Sequence, residues 1–199
     1  MSELSEREIE DIKLKEQLAS ETGFGVYKVS DFMGMSFKPK EPLIEGIMNI
    51  GESVIVCGTP KAGKSIFLQS LAYALSSADD KFLGSLHITK PCKVCYIQLE
   101  GELSDTHDRF RRIGEGIKHN KDNMALFFSE PMKLDELEYT MNVMAKIERV
   151  MIPEVLIIDP LYMAFSSGSL SDDECIRKVL SNLRILKMRF GCTLIVAHH

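Results

Sequence analysis

The chain has 199 residues, of which 45% belong to the hydrophobic set and 27% are charged. That hydrophobic share is enough to build a core, so a mainly disordered chain is excluded, and the length suits one domain with extensions better than two full domains. With 24 basic and 29 acidic residues the net charge is −5, which argues against a surface coated in basic residues for duplex DNA or anionic lipid.

A charged N-terminal arm is predicted at residues 1–30, ahead of a folded core at residues 31–199. The first residues are acidic and do not form a secretion signal, and Ser5 and Glu8 have the spacing of a capping box that starts a solvated helix. No stretch of about 18 apolar residues occurs in the sequence. We therefore expect a cytoplasmic protein that does not interact with membranes.

Short apolar strands alternate with helical patterns from residue 53 onward. Strands are predicted at 53–57, 93–99, 124–129, 154–158 and 192–197, and helices at 64–77, 104–118, 135–151 and 171–190. Strands without polar alternation, separated by helices, are typical of a mostly parallel sheet that is covered on both faces. The predicted fold class is α/β.

A phosphate-binding loop is predicted between the first strand and the helix that follows it. Residues 58–65 read GTPKAGKS and fit the pattern G-x-x-x-x-G-K-[ST]. Glycines let backbone amides converge on triphosphate oxygens, and the loop ends at a helix N-terminus, which favours anions. In this interpretation Lys64 reaches the β- and γ-phosphates and Ser65 offers its hydroxyl to Mg²⁺. The residues predicted to bind ATP are Gly58, Thr59, Pro60, Lys61, Ala62, Gly63, Lys64, Ser65 and Ile66.

Two acidic residues follow other predicted strands and complete the expected site. Asp159 closes the apolar run 155–158, and we predict that it holds Mg²⁺ together with Ser65, the alternative being a carboxylate that only caps the next turn. Glu100 ends the second strand and is the predicted catalytic base, which orients and deprotonates the attacking water. Glu102 is a close alternative for that role.

The last strand runs directly into two histidines. His198 and His199 continue the apolar run 194–197. A histidine at this strand end is placed to contact the γ-phosphate or the attacking water, although a terminal pair is also what a tag remnant leaves. We predict His198 and His199 as sensor residues, which join Lys64 and Glu100 in the catalytic set.

The five cysteines are scattered, odd in number and mostly embedded in apolar runs, as in a reduced cytosolic protein. Cys92 and Cys95 have the spacing of zinc ligands, but no second pair accompanies them. The segment 92–95 also lies in a strand-like run, where positions three apart point to opposite faces. We expect buried thiols there rather than a metal site.

Taken together, these segments resemble the RecA-like ATPases, and most closely the RepA-type hexameric replicative helicases of plasmids and phages. The resemblance covers roughly residues 40–199. The segments that carry it are GTPKAGKS at 58–65, YIQLEG at 96–101, DRF at 108–110, VLIIDPL at 155–161 and IVAHH at 195–199. It implies a three-layer P-loop fold in which the His198 strand lies between the Gly58 and Asp159 strands, with the Glu100 strand beyond Asp159.

The resemblance further implies an ATP-hydrolysing motor subunit of the DNA helicase or translocase type, in plasmid or phage replication or in DNA repair. Its partners would be single-stranded DNA and further copies of the chain in a ring, a hexamer when complete, with ATP between subunits and an arginine supplied by the neighbour. Members of that family continue beyond the sensor strand. We therefore expect a fold that is truncated after this strand.

Charge around the expected DNA-binding loop departs from that family. The loop 160–175 contains no Lys or Arg, and its acidic residues 172–174 would repel phosphate. The concentrated basic run lies elsewhere, and we interpret it as a solvated helix face rather than a nucleic-acid track. Its members are Arg109, Arg111, Arg112, Lys118 and Lys121.

Three other interpretations keep the phosphate loop. A RecA-like regulatory switch is favoured by the acidic charge and the unbasic loop. A non-catalytic nucleotide-binding subunit is favoured by the missing C-terminal part. A small-molecule kinase is disfavoured, because it needs a lid that usually carries arginines, and the stretch after Asp159 supplies none.

Overall fold

The computed structural model of the protein describes residues 26–37, 39–77, 81–115, 121–128, 132–166 and 173–198. The chain forms two compact units, Met1–Pro39 and Lys40–His199. The predicted division after residue 30 stays a prediction, and the Ser5–Glu8 capping box lies outside the described residues.

The described part of the first unit centres on a single-turn helix, α1 (Val29–Met33). Tyr27, Phe32 and Phe37 form a small aromatic cluster around it, with ring centroids 6.4 Å apart for Tyr27 and Phe32 and 6.2 Å apart for Phe32 and Phe37. None of the residues of α1 is buried. The sequence did not predict this helix, because one turn is too short to show helical periodicity.

The second unit contains nine strands and four helices among its described residues. The strands are β1 (Pro42–Ile44), β2 (Met48–Asn49), β3 (Ser53–Cys57), β4 (Lys81–Phe82), β5 (Leu86–His87), β6 (Val94–Gln98), β7 (Met124–Phe128), β8 (Val155–Asp159) and β9 (Thr193–His198). The helices are α2 (Lys64–Ser76), α3 (Leu103–Glu115), α4 (Leu137–Glu148) and α5 (Asp173–Phe190), with short 3-10 turns at Lys121–Asn123 and Leu161–Met163.

A five-stranded parallel sheet forms the centre of this unit, in the order β3-β9-β8-β6-β7. The α/β class and the mostly parallel sheet are therefore confirmed. The strand order also confirms the arrangement that the resemblance implied, because β9 lies between β3 and β8, and β6 lies beyond β8. All five strands end at the same edge of the sheet, which brings the segments that follow β3, β6 and β8 together.

Strand alternation divides the apolar side chains of the sheet between two hydrophobic clusters. Tyr96, Ile157 and Ile195 belong to the cluster that contains α2 and Phe110 of α3. Ile97 and Ile158 belong to the other cluster, which contains the apolar faces of α4 and α5. Because successive residues of a strand point to opposite faces, the sheet is covered on both sides, and the architecture has three layers.

Cys92, which precedes β6, and Cys95, within β6, lie in different hydrophobic clusters. Both are free, buried thiols. Burial raises the pKa of Cys92 to about 11 and that of Cys95 to about 12, so both stay protonated and unreactive near neutral pH. Within the described ranges, no three His, Cys, Asp or Glu side chains are grouped as metal ligands.

Several local features differ from the sequence-based expectations. Two small antiparallel hairpins, β1–β2 and β4–β5, were not predicted, since strands of two or three residues show no alternation. Helix α4 ends at Glu148 rather than near residue 151, and Pro153 disfavours helical geometry just beyond it. The predicted cap at Ser171 lies outside the described residues. In the part of the chain that is described, no helix is long and apolar enough to cross a membrane.

Candidate functional site

A cleft of about 830 Å³ opens at the carboxyl edge of the sheet. Three chain segments form its walls: the loop after β3 with the start of α2, the tip of β6 with α3, and the tip of β8. Crevices outside the carboxyl ends of parallel strands are the usual ligand sites of such sheets. The cleft is lined by Pro60, Lys61, Gly63, Lys64, Ser65, Ile66, Glu100, Arg109, Asp159, Pro160 and Tyr162.

The loop after β3 turns sharply into helix α2. Gly63 precedes the helix with φ of 89°, and Lys61 has φ of 63°, so two residues adopt the left-handed region. Gly63 has no side chain that could cap the helix, and the carbonyl of Gly63 accepts a hydrogen bond from the Phe67 amide at 2.9 Å. The first amides of a helix have no partner within the helix, so they point toward the cleft as donors.

Lys64 lies beneath this loop and is only 9% exposed. Its Nζ donates hydrogen bonds to the carbonyl oxygens of Gly58 at 2.8 Å and of Thr59 at 2.9 Å. A buried ammonium group is stable only when its donors are satisfied. The loop carbonyls therefore hold the positive charge at the floor of the cleft.

Asp159 brings a buried carboxylate to the opposite wall, where it is 1% exposed. The hydroxyl of Tyr96 donates a hydrogen bond to Asp159 Oδ2 at 2.5 Å. Burial, followed by the negative charge of Asp159, raises the pKa of Tyr96 above its usual range. Asp159 and Ile157 are two positions apart in β8, which directs the carboxylate to the face of the sheet that α2 covers.

Glu100 lies on the same cleft, directly beyond the tip of β6, and is exposed. The side-chain amide of Gln98 donates to the backbone carbonyl of Glu100 at 2.6 Å, which fixes the turn that carries it. Partial burial, a hydrogen bond with Glu100, and the charges of Glu100 and Asp159 raise the pKa of Tyr162. Glu100, Asp159 and Tyr162 all line the cleft.

Residues 19–199 match the family model described as AAA domain. The chain belongs to the AAA domain family. Together with the parallel sheet and the loop after β3, this membership supports the predicted P-loop nucleotide-binding fold. The predicted α/β P-loop fold is therefore supported, and the closer resemblance to the RepA-type helicases stays a prediction.

No curated protein matches the sequence of this AAA domain. Among solved structures, it is similar to a KaiC-like protein from hyperthermophilic archaea, Pyrococcus horikoshii OT3, with a TM-score of 0.47 and 20% sequence identity. The match covers 78% of this chain and 64% of the archaeal chain, so the AAA domain spans less than two thirds of that protein's length.

Most of the predicted site residues meet at the cleft of this AAA domain. Six members of the loop, together with Glu100 and Asp159, line it. Gly58 and Thr59 contribute their carbonyls to Lys64, and Ala62 closes the loop by donating its amide to the Thr59 carbonyl at 3.2 Å.

The predicted sensor residues, His198 and His199, are not among the described residues that line the cleft. His198 ends β9 beside Cys57 of β3, and it does not line the cleft among the described residues. Its Nδ1 is buried and has no hydrogen-bond partner within the described structure. His199 lies outside the described residues. The sensor role stays a prediction.

Three residues on the cleft wall or directly behind it were not predicted as site residues from the sequence. In the sequence, Tyr96 and Tyr162 are flanked by apolar residues, a pattern that is typical of core side chains. Arg109 was assigned to a solvated basic face, whereas it is half-buried on the cleft wall. The neighbouring Arg111 and Arg112 are exposed as predicted, and Arg111 forms ion pairs with acids of its own helix. The side chain of Lys121, like all of Lys118, lies outside what the structure describes.

Proposed function

We propose that this AAA domain binds ATP with Mg²⁺ in the cleft, hydrolyses it, and serves as a motor subunit of the DNA helicase or translocase type. One observation carries the proposal: a single cleft brings together Lys64, Asp159 and Glu100 from three segments that are distant in sequence. A phosphate-binding lysine, a carboxylate that holds the metal and a second acid that can activate water are recurring parts of sites for phosphoryl transfer to water.

The donor set of the cleft fits a triphosphate with magnesium. The left-handed glycine at 63 leaves the start of α2 uncapped, so several amides and the Lys64 ammonium face one anion-binding region. Mg²⁺ usually takes one or two protein ligands and completes its shell with water and phosphate. The hydroxyl of Ser65 and the carboxylate of Asp159, on facing walls, supply that number.

Each of these side chains then has one task. The loop amides and Lys64 bind the β- and γ-phosphate oxygens, and Ser65 and Asp159 orient the magnesium ion and its water. Glu100, which is exposed beside them, orients the attacking water and accepts its proton. When bound, Mg²⁺ neutralises charge that develops on the β–γ oxygens. The role of base is assigned to Glu100 rather than Glu102 because Glu100 lines the cleft.

We further propose that the motor acts on single-stranded DNA in the cytoplasm, as a homo-oligomeric ring in plasmid or phage-type replication or in repair. The segments quoted for the RepA-type helicases support this, and the AAA domain family is compatible with it. A second candidate, a regulatory ATPase switch, is favoured by the exposed acids Asp173 and Glu174 at the start of α5, near the loop that would approach DNA.

Substitution of Lys64 tests the proposal. We expect Lys64→Ala to abolish phosphate release from ATP and to weaken nucleotide binding, because the ammonium group is the main positive charge at the floor of the cleft. Phosphate release is measured by a colorimetric assay and binding by titration with a fluorescent ATP analogue. Lys133→Ala is the matched control, since Lys133 does not line the cleft and forms a partly exposed ion pair with Glu136 at 3.4 Å.

Persistent ATP turnover in Lys64→Ala, at the rate of the Lys133→Ala control, would show that the cleft is not the hydrolytic site. Loss of turnover in both variants would point to an unfolded or inactive preparation of the protein, so each variant is first compared with the wild type by circular dichroism.

A further inference from the structure

We propose that Tyr96 is a positioning residue for magnesium, which acts by fixing the carboxylate of Asp159. This inference rests on the proposed function, since it concerns how one acid of the same cleft is held. It begins with the hydrogen bond from the Tyr96 hydroxyl to Asp159 Oδ2, at 2.5 Å, inside a fully buried region.

The register of the sheet explains why this tyrosine reaches this acid. Tyr96 pairs with Ile157, and Gln98 pairs with Asp159, across the neighbouring strands β6 and β8. Tyr96 and Asp159 therefore point to the same face of the sheet and lie diagonally across the strand pair, a separation that a long side chain spans. The hydroxyl approaches Asp159 from within the core rather than from the cleft.

The tyrosine ring is itself held on several sides. It packs edge-on against Phe110 of α3, with ring centroids 5.6 Å apart, and it has no exposed surface. Gln98, two positions further along β6, is held in turn, because its side-chain oxygen accepts a hydrogen bond from the Gln69 amide of α2 at 3.2 Å. The ring of Tyr96 and the end of β6 beside Asp159 are thus both fixed by buried contacts.

This arrangement has a direct consequence for the carboxylate. One oxygen of Asp159 is engaged by Tyr96 from inside the core, so the orientation of the other oxygen is set before any ligand arrives. Hydrogen bonds to a metal-binding group fix its direction, and their loss usually weakens metal affinity by about 10- to 100-fold. If the hydrogen bond served only to give the buried tyrosine hydroxyl a partner, its loss would lower stability but would not change magnesium affinity.

The test measures how magnesium changes nucleotide affinity in Tyr96→Phe. A ribose-labelled fluorescent ADP is titrated in EDTA and at a series of free Mg²⁺ concentrations, so the readout does not depend on turnover. We expect the affinity in EDTA to equal that of the wild type, and the Mg²⁺ concentration at half-effect to rise about tenfold or more.

Tyr73→Phe is the matched control. Tyr73 also packs against Phe110 at 5.6 Å, but its hydroxyl donates to the backbone carbonyl of Phe110 at 2.8 Å. Both variants lose one buried hydroxyl from the same cluster, so both are expected to lose thermal stability. The shifted Mg²⁺ dependence should occur in Tyr96→Phe alone.

A double-mutant cycle locates the effect. In the background of Asp159→Asn, the change Tyr96→Phe should no longer alter the Mg²⁺ dependence, because the carboxylate through which it acts is gone. An unchanged Mg²⁺ dependence in Tyr96→Phe, or an equal shift in Tyr73→Phe, overturns the inference and leaves the proposed function standing. Absence of any ADP binding by the wild type overturns the proposed function instead.

If Tyr96→Phe does not fold, the wild-type protein still decides the question. The sequence has five tyrosines, and their ¹³C-labelled ring signals can be assigned by substitutions that fold. The ring signal of Tyr96 should differ between ADP with EDTA and ADP with Mg²⁺, and that of Tyr73 should not. Equal signals of Tyr96 in the two states overturn the inference.

Discussion

Glu100 and Glu102 differ by two positions in sequence, and of the two only Glu100 lines the cleft. Gly101, with φ of 95°, places a left-handed residue between them, a backbone conformation that glycine adopts without strain. An acid can serve as the base only within hydrogen-bond reach of the attacking water. Position relative to the phosphate loop, rather than the presence of a carboxylate, therefore distinguishes these residues.

Replacement of each acid by its amide makes this distinction measurable. We expect Glu100→Gln to lower the rate of ATP hydrolysis by about 10²- to 10⁴-fold, the usual contribution of a general base, while nucleotide affinity is kept. Glu102→Gln should retain the wild-type rate. Single-turnover phosphate release and fluorescent-nucleotide binding measure the two quantities. The opposite pattern would assign the base to Glu102.

Arg109 and Arg112 offer a similar contrast on helix α3. Arg109 is half-buried on the cleft wall, and Arg112 is exposed. A cation on the wall attracts a bound polyphosphate, so we expect Arg109→Ala to weaken ATP binding about tenfold, which corresponds to about 1.4 kcal/mol. Arg112→Ala should bind ATP as the wild type does. Calorimetric titration measures the ATP affinity of each variant. Equal affinities would mean that Arg109 does not contact the nucleotide and belongs to the solvated basic face, as the sequence predicts.

Residues of the site differ in how far the sequence could predict them. Lys64, Ser65 and Asp159 were predicted because each is fixed by a local pattern: a loop motif, or an acid directly after an apolar run. Tyr96 and Arg109 were missed because their importance depends on which strands and helices become neighbours. Tyrosine within an apolar strand is typical of a core residue, and nothing in its own segment indicates a bond to Asp159.

At the scale of elements, helix α5 shows how a single glycine determines where a helix ends. The helix ends at Phe190, Gly191 follows with φ of 63°, and the Cys192 amide donates to the Lys187 carbonyl at 3.3 Å. This is the hydrogen bond of a Schellman motif, which a glycine in the left-handed region makes favourable. The chain then enters β9 directly, so the motif sets where that strand begins.

Gly191→Ala is expected to lower the free energy of unfolding by about 1–2 kcal/mol, because a side chain disfavours the left-handed conformation. Urea denaturation followed by circular dichroism measures this change. Gly34→Ala is the comparison, since Gly34 also follows a helix but has φ of −84°. An equal loss in both variants would contradict the explanation by backbone conformation.

Long elements were predictable and short ones were not, for a physical reason. The five strands of the parallel sheet are apolar runs between glycines, prolines and helical patterns, and each predicted strand end lies within one residue of the observed end. The hairpins β1–β2 and β4–β5 depend on pairing between very short segments, which leave no pattern in sequence. Strand β3 also departs from the expected burial, because Ile55, on an edge strand of the described sheet, is 58% exposed.

At the scale of the whole molecule, charge limits how this AAA domain can contact a nucleic acid. The net charge is −5, and Arg111, one of the basic residues of α3, is already paired with Asp108 and Glu115. Each phosphate that a protein neutralises on single-stranded DNA contributes about −0.7 to the slope of log affinity against log salt. If each subunit made about one to three such contacts, the slope would lie between about −0.7 and −2.1.

The motor and the switch predict different responses to this polymer. A motor couples ATP hydrolysis to movement along DNA, so we expect single-stranded DNA to stimulate phosphate release, and added salt to reverse the stimulation with the shallow slope given above. A regulatory switch should hydrolyse ATP at the same rate with and without the polymer. The measurement is phosphate release against DNA concentration at several salt concentrations, with Lys64→Ala as the control for contaminating ATPases.

A steep slope would mean that many phosphates are bound, which the acidic surface of the chain does not support. If the rate of phosphate release does not change with DNA at any salt concentration, the regulatory switch is favoured, and the proposed ATP hydrolysis in the cleft still holds.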